Sequence, residues 1–85
     1  MSEKTARIGE ILEVMKSTWD LPADCNEGEL FAYAETLYDK IVAGEGKDAL
    51  HAYLDGVQTG NLEMPPSGAA RAIVDRALAL SEDWR

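Results

Sequence analysis

The sequence is short of the residues that crosslink small proteins. Among its 85 residues there is one cysteine, Cys25, and one histidine, His51. A single cysteine excludes a disulfide within the chain. Cys25 and His51 together are too few ligands to form a Cys/His zinc site from a single chain. A chain of this length hides roughly 60–65% of its unfolded surface. We therefore expect stability to come from packed helices, from self-association or from a partner.

Long hydrophobic runs are also missing. No apolar run approaches the roughly 18–20 residues that are needed to cross a bilayer. The first residues have no signal-peptide core, because Gly9 and Glu10 follow Ile8. The apolar content of 46% is nevertheless that of a globular chain. We expect no membrane association and a cytoplasmic location, most simply in a bacterium or as a protein of its virus.

Basic residues are scarce in the middle of the chain. Residues 1–16 and 64–85 each carry three acidic and three basic residues, whereas residues 17–63 carry ten acidic residues against Lys40 and Lys47. The net charge of −8 therefore belongs entirely to the central half. Such a block repels nucleic-acid phosphates and anionic membranes, and it attracts a basic surface. It also favours solubility, so charge alone leaves a solubilising role and a partner-binding role open.

Apolar residues recur at helical spacing in four segments, and no segment shows the alternation of a strand. The spacing predicts helices over about 3–17, 27–43, 47–57 and 68–83. We therefore predict an all-α fold, a compact four-helix bundle-like single domain that spans residues 1–85. The second helix has the strongest apolar stripe, which we extend to Ile41 and Val42.

Capping residues and helix breakers set the expected ends of the first two helices. Pro22 stops the first pattern, because it lacks a donor and disfavours a helical residue before it. Asp24 with Glu27 three residues later has the pattern of a capping box that opens the second helix. Gly44 is placed to end that helix as a left-handed residue.

The stretch 58–67 is predicted to be the longest loop of the chain. Gly60 begins a turn signal within it, and we expect Leu62 and Met64 to pin the loop to the core. Ser67 has the position and chemistry of an N-cap for the fourth helix.

The glycine-rich stretch 44–48, Gly-Glu-Gly-Lys-Asp, is similar to part of a phosphate-binding loop. Ile41 occupies the place of the required first glycine, and Asp48 occupies the place of the required hydroxyl residue. Residues 46–50 resemble the Gly-x-Asp-Ser-Leu motif of acyl carrier proteins, which are also small, acidic and helical. Ala49 stands where those proteins attach phosphopantetheine to serine, so this chain cannot carry the group there. We predict no cofactor.

Metal sites are excluded in a similar way. Asp24, Asn26 and Glu35 match three ligand positions of a calcium loop, but Glu29 stands where such a loop requires glycine. Di-metal helical bundles need a Glu-x-x-His pair in addition to other inward glutamates, and the sequence has no such pair. We predict no metal site.

Catalytic motifs are not found either. His51 does not form a recognisable catalytic motif with a serine, cysteine or aspartate. The thiol of Cys25 is flanked by carboxylates, which oppose its activation. We predict that the chain has no catalytic residues and is not an enzyme.

The candidate partner-binding residues lie on the second and third helices. Glu35 and Asp39 are one helical turn apart on a polar face, where their repulsion costs the helix about 0.2–0.5 kcal/mol. Tyr33 lies off the centre of the apolar stripe, near Glu29, and either an exposed interface anchor or packing at the stripe's edge fits this position. The predicted set is Glu29, Tyr33, Glu35, Asp39, Asp48 and Asp55.

These observations favour a small acidic protein-binding module. Inhibitors of nucleic-acid enzymes, including toxin immunity proteins and phage-encoded anti-defence proteins, often have this size and charge. The expected partner is a basic protein surface of a nucleic-acid-binding protein, which the carboxylates would occlude, with no direct binding of nucleic acid. The alternative is a structural or assembly subunit that acts as a homo-oligomer, such as a homodimer, without a ligand site.

Overall fold

The computed structural model of the chain describes residues 3–21, 27–65 and 67–84. These residues form four α-helices and one short π-helical turn, and they contain no strand. The helices are α1 (Glu3–Trp19), α2 (Glu27–Val42), α3 (Lys47–Gly56) and α4 (Ala69–Glu82). The predicted all-α, four-helix architecture is confirmed. The capping assigned to Asp24 and the environment of Cys25 lie outside the described residues.

Helix α2 ends as the sequence predicts. Gly44 has a φ of +84°, in the left-handed region that favours glycine. Its N–H donates to the carbonyl of Ile41 at 3.1 Å, and the N–H of Glu45 donates to the carbonyl of Lys40 at 3.1 Å. These two bonds form a Schellman motif, which satisfies carbonyls that the helix end would leave without partners.

The segment that follows α3 differs from the loop predicted over 58–67. Gly56 keeps a helical φ of −65° and does not break the helix, which widens into a π-helical turn over Val57–Asn61. The N–H of Leu62 donates to the carbonyl of Val57 at 2.9 Å across this turn. The irregular connection therefore begins at Leu62, later than the predicted start of the loop. As predicted, Leu62 and Met64 pack against the core.

One hydrophobic cluster receives side chains from all four helices. Helix α1 packs extensively against α2 and α4, and α3 packs against α4, whereas α2 and α3 touch only slightly. The helices therefore follow the spatial order α2, α1, α4, α3, and the outward face of α2 is not covered by another described helix. The largest fully buried side chains are Ile8, Ile11, Met15, Leu30, Leu37, Leu50, Leu54, Gln58, Ile73 and Val74.

In the described ranges, none of the helices has the length and apolar character needed to span a membrane.

Candidate partner-binding surface

Carboxylates already engage the basic side chains of the described residues, with one exception. Arg76 instead donates to the hydroxyl of Thr18 at 3.3 Å. The ion pairs are Lys4–Asp39, Arg7–Glu3, Lys16–Glu27, Lys40–Glu45, Lys47–Asp75 and Arg71–Asp55. Since the chain has 16 acidic and 8 basic residues, carboxylates are left over once these pairs have formed, and the surface remains negative.

Glu35 and Asp39 form what we call the acidic ridge, on the outward face of α2. Both residues are exposed. Within the described part of the chain, Glu35 makes no ion pair. Asp39 lies 3.5 Å from the ammonium of Lys4, and both of these side chains are more than half exposed. Exposed pairs of this kind contribute roughly 0–1 kcal/mol, so a partner's cation can replace Lys4 at small cost.

Tyr33 lies at the edge of the core and packs against it. Its hydroxyl donates a hydrogen bond to the carboxylate of Glu29, one turn earlier in α2. This hydrogen bond is the main reason why the pKa of Tyr33 is raised above its usual value, while a hydrogen bond with Asn61 acts in the opposite direction. Of the two positions that the sequence allowed, packing at the edge is the one observed.

Asp48 and Asp55 lie on a different side of the molecule from the acidic ridge. Asp55 is 3.8 Å from the guanidinium of Arg71, so it faces α4. Asp48 is seven residues earlier in α3 and therefore shares that face. The flank of α3 that approaches α2 instead carries Tyr53, with the ammonium of Lys40 5.3 Å from its ring centroid.

The six predicted residues therefore fall into three groups. One group lies between α2 and α3, one faces outward from α2, and one lies on α3 beside α4. The groups are, in that order, Glu29 with Tyr33, Glu35 with Asp39, and Asp48 with Asp55. The acidic ridge is the group that lies on an uncovered helix face.

The assignment of Val42 to the apolar stripe of the second helix is wrong. The side chain of Val42 is 63% exposed, and it is the one large hydrophobic residue with that exposure among those described. Its spacing explains the error: Val42 is three residues after Asp39 and seven after Glu35, which places it on the acidic ridge's face of α2. Ile41, one residue earlier, is the one that packs against the core.

Val42 borders a groove between α1, α2 and the end of α4, which we call the Val42 groove. The rings of Tyr38 and Trp84 lie in it with centroids 5.4 Å apart and planes inclined by 49°. The cavity measures about 270 Å³. Its lining residues are Arg7, Tyr38, Ile41, Val42, Ser81 and Trp84.

Polar contacts fix the walls of the Val42 groove. Arg7 donates to the carbonyl of Trp84 at 3.0 Å, and its guanidinium carbon lies 5.5 Å from the indole centroid. The indole N–H of Trp84 donates to Glu10 at 3.4 Å. Arg7 also pairs with Glu3 at 3.5 Å. These contacts hold the described end of the chain against α1.

A separate cluster of charged residues joins α3 to α4. Lys47 and His51 each lie 3.2 Å from the same carboxylate oxygen of Asp75. The hydrogen bond from Lys47, followed by that from His51, holds the pKa of Asp75 below its usual value. This cluster links two helices at the surface.

Among the described residues, no group of three or more His, Cys, Asp or Glu side chains could hold a metal ion.

Comparison with known protein families, with curated proteins and with solved structures finds no match for this chain.

Proposed function

We propose that this chain is a small acidic protein-binding module that occludes a basic, nucleic-acid-binding surface of a partner protein in the cytoplasm. The acidic ridge of Glu35 and Asp39 would engage the partner's Lys or Arg side chains. The observation that supports this most strongly is the charge pairing described above. Apart from Arg76, the described basic side chains already have carboxylate partners, and only Lys4 pairs with the acidic ridge, through Asp39. Glu35 is exposed and makes no ion pair within the described residues.

Electrostatics would give the interaction two measurable properties. A protein with a formal charge of −8 attracts a basic surface over distances comparable to the Debye length, about 8 Å at physiological salt. This attraction speeds association, and added salt weakens it. A surface that holds phosphates presents Lys and Arg, and carboxylates fixed on a helix compete with phosphates for them.

The test compares two variants that carry the same net charge. Glu35→Gln/Asp39→Asn removes the carboxylates of the acidic ridge. Glu13→Gln/Glu82→Gln removes the same amount of charge from exposed positions on α1 and α4. Each protein and the wild type are immobilised and exposed to an extract of the source cells at low salt. Bound proteins are then eluted with high salt or with duplex DNA.

The proposal predicts that wild type and the α1/α4 variant retain a basic nucleic-acid-binding protein that both salt and DNA release. The acidic-ridge variant should retain much less of it. Equal capture by the two variants would contradict the role of the acidic ridge. Capture of proteins that DNA does not displace would contradict occlusion of a nucleic-acid-binding surface.

The exposed Val42 beside the apolar and aromatic Val42 groove favours a second candidate function, a homo-oligomeric assembly subunit. A small domain can cover such an apolar residue by pairing with another copy. Sedimentation equilibrium over a wide concentration range tests this candidate. A monomer at the highest concentration would exclude it, and a dimer that Val42→Ser dissociates would support it.

A further inference from the structure

We propose that the Val42 groove receives one large apolar side chain from a basic segment of the partner, and that this segment lies along the acidic ridge. The inference rests on the proposed function, because the same partner would occupy both features. It adds the chemistry of the segment that is recognised: Lys or Arg residues followed by a single apolar anchor.

The geometry of α2 supports a single continuous binding surface. Glu35, Asp39 and Val42 are spaced at i, i+4 and i+7, so they lie along one face of the helix. At 1.5 Å per residue, Glu35 and Val42 are about 10 Å apart along the helix axis. A helical partner segment would therefore place its basic residues about one and two turns from its anchor.

The size of the Val42 groove fits a side chain. Its volume of about 270 Å³ lies below the roughly 300–1,000 Å³ of typical small-molecule sites. Val42 is exposed and Trp84 is half-buried, and with the mostly buried ring of Tyr38 they give the groove an apolar and aromatic lining for such an anchor. A single exposed valine is ordinary in a soluble protein. Here the valine lies between a groove with aromatic walls and two carboxylates, and this combination is what indicates a docking surface.

Charge excludes an anionic occupant. Glu3, Glu10 and Asp39 contact the cations or the indole N–H at the edge of the Val42 groove. The cation that lines it, Arg7, is already engaged by the carbonyl of Trp84 and by Glu3. An apolar side chain flanked by Lys or Arg avoids the repulsion that a carboxylate or phosphate would meet.

The test uses two synthetic amphipathic peptides and follows the fluorescence of Trp84. Both peptides carry Lys about one and two helical turns from an anchor position, which is Leu in one peptide and Ala in the other. Trp84 lines the groove and Trp19 is buried in the core, so Trp84→Phe verifies the source of the signal. The variants are Val42→Ser, its neighbouring exposed control Ala43→Ser, and Glu35→Gln/Asp39→Asn.

For wild type and Ala43→Ser we expect the Leu peptide to bind about tenfold more tightly than the Ala peptide. In Val42→Ser this ratio should fall to near one while the salt dependence is kept. The acidic-ridge variant should bind both peptides more weakly, with the ratio of their affinities unchanged. This pattern distinguishes the contribution of the apolar anchor to binding from that of the charges.

Several results would overturn the inference. They are a ratio near one for wild type, a ratio that Val42→Ser leaves unchanged, and no binding of either peptide. One result separates the two proposals: both peptides bind the acidic-ridge variant more weakly than wild type, while wild type binds the Leu and Ala peptides equally well. In that case the apolar anchor is wrong and the proposed function stands. A wild-type dimer that Val42→Ser converts to a monomer would show that a second copy covers the groove, and this would also overturn the inference.

Discussion

The indole N–H of Trp19 donates a hydrogen bond of 3.0 Å to the side-chain oxygen of Gln58, in the interior of the protein. Gln58 is 1% exposed. Its amide nitrogen donates to the carbonyl of Pro65 at 2.6 Å and to the hydroxyl of Ser67 at 3.0 Å. That hydroxyl in turn accepts from the N–H of Ala69 in the first turn of α4. One buried glutamine thus joins the end of α1, the π-helical turn and the start of α4.

Replacing Gln58 with Leu should lower the free energy of unfolding by about 2 kcal/mol. Leucine nearly preserves the volume, but the indole N–H of Trp19 and the carbonyl of Pro65 lose their partner, and a buried group without one costs about 1–3 kcal/mol. Urea unfolding followed by circular dichroism measures the change. Thr59→Ala, at an exposed site in the same turn, should change stability by less than about 0.5 kcal/mol.

A double-mutant cycle with Trp19→Phe isolates the hydrogen bond between the two residues. Phenylalanine removes the N–H donor, so the two substitutions should be less than additive, with a coupling of about 0.5–1.5 kcal/mol. Additive effects would mean that the bond contributes nothing to stability.

Two glycines should respond to alanine in opposite directions. Gly44→Ala should destabilise the protein by about 1–2 kcal/mol, because an alanine at φ +84° is strained even though nearby space is open. Gly56→Ala should stabilise it by roughly 0.4–1 kcal/mol, because Gly56 already has a helical φ and nothing lies within 4 Å of the added carbon. Thermal or urea unfolding of both variants measures the two changes. A stabilising Gly44→Ala would contradict the left-handed end assigned to α2, and a destabilising Gly56→Ala would contradict the helical conformation assigned to Gly56.

The carboxyl group of Asp75 should titrate with a pKa below its ordinary value of 3.8. A lowered pKa in the folded state means that the stability it contributes is present above the unfolded pKa and is lost as pH falls through the folded pKa. Carbon-detected NMR titration of the carboxyl group measures this directly. Lys47→Met should raise the pKa of Asp75 more than His51→Gln does, because the bond from Lys47 is the larger cause.

Lys40→Met provides the control for this titration, since Lys40 pairs with Glu45 instead. It should leave the titration of Asp75 unchanged. If Lys47→Met also leaves it unchanged, the observed pairing is not the cause of the shift.

Glu35→Gln should increase stability slightly, by about 0.2–0.5 kcal/mol, while weakening partner binding. The gain comes from removing the repulsion between Glu35 and Asp39 one turn apart on α2. Chemical denaturation measures the stability, and the immobilised-protein experiment measures the binding. A gain in stability with unchanged binding would indicate that Glu35 only adds charge to the surface.

Periodicity and capping predict most of the fold. The apolar spacing predicts four helices whose ends lie within two residues of those observed, and Gly44 predicts the left-handed end of α2 because few other residues adopt that conformation without strain. The sequence pattern does not predict the π-helical turn after Gly56, since glycine permits a helix end without requiring one. The spacing of Gln58 does indicate that the helical pattern continues past Gly56. Gln58 is four residues after the buried Leu54 and eight after the buried Leu50, which places it on the same buried face.

The candidate surface is less predictable from the sequence. The sequence shows which carboxylates lie on α2 and α3. Their ion pairs depend on contacts between distant segments, such as Lys4 with Asp39 and Arg71 with Asp55. The Val42 groove also requires Trp84, which reaches Tyr38 and Arg7 only in the folded chain. Local spacing cannot predict such distances.

The most direct test of the account is the association rate constant of the captured partner, measured at increasing salt for wild type and the two variants of equal charge. We predict that Glu35→Gln/Asp39→Asn associates about tenfold more slowly than wild type at low salt and depends less on salt. Glu13→Gln/Glu82→Gln should stay close to wild type. Equal rates for the two variants at every salt concentration would show that the acidic ridge is not the binding surface.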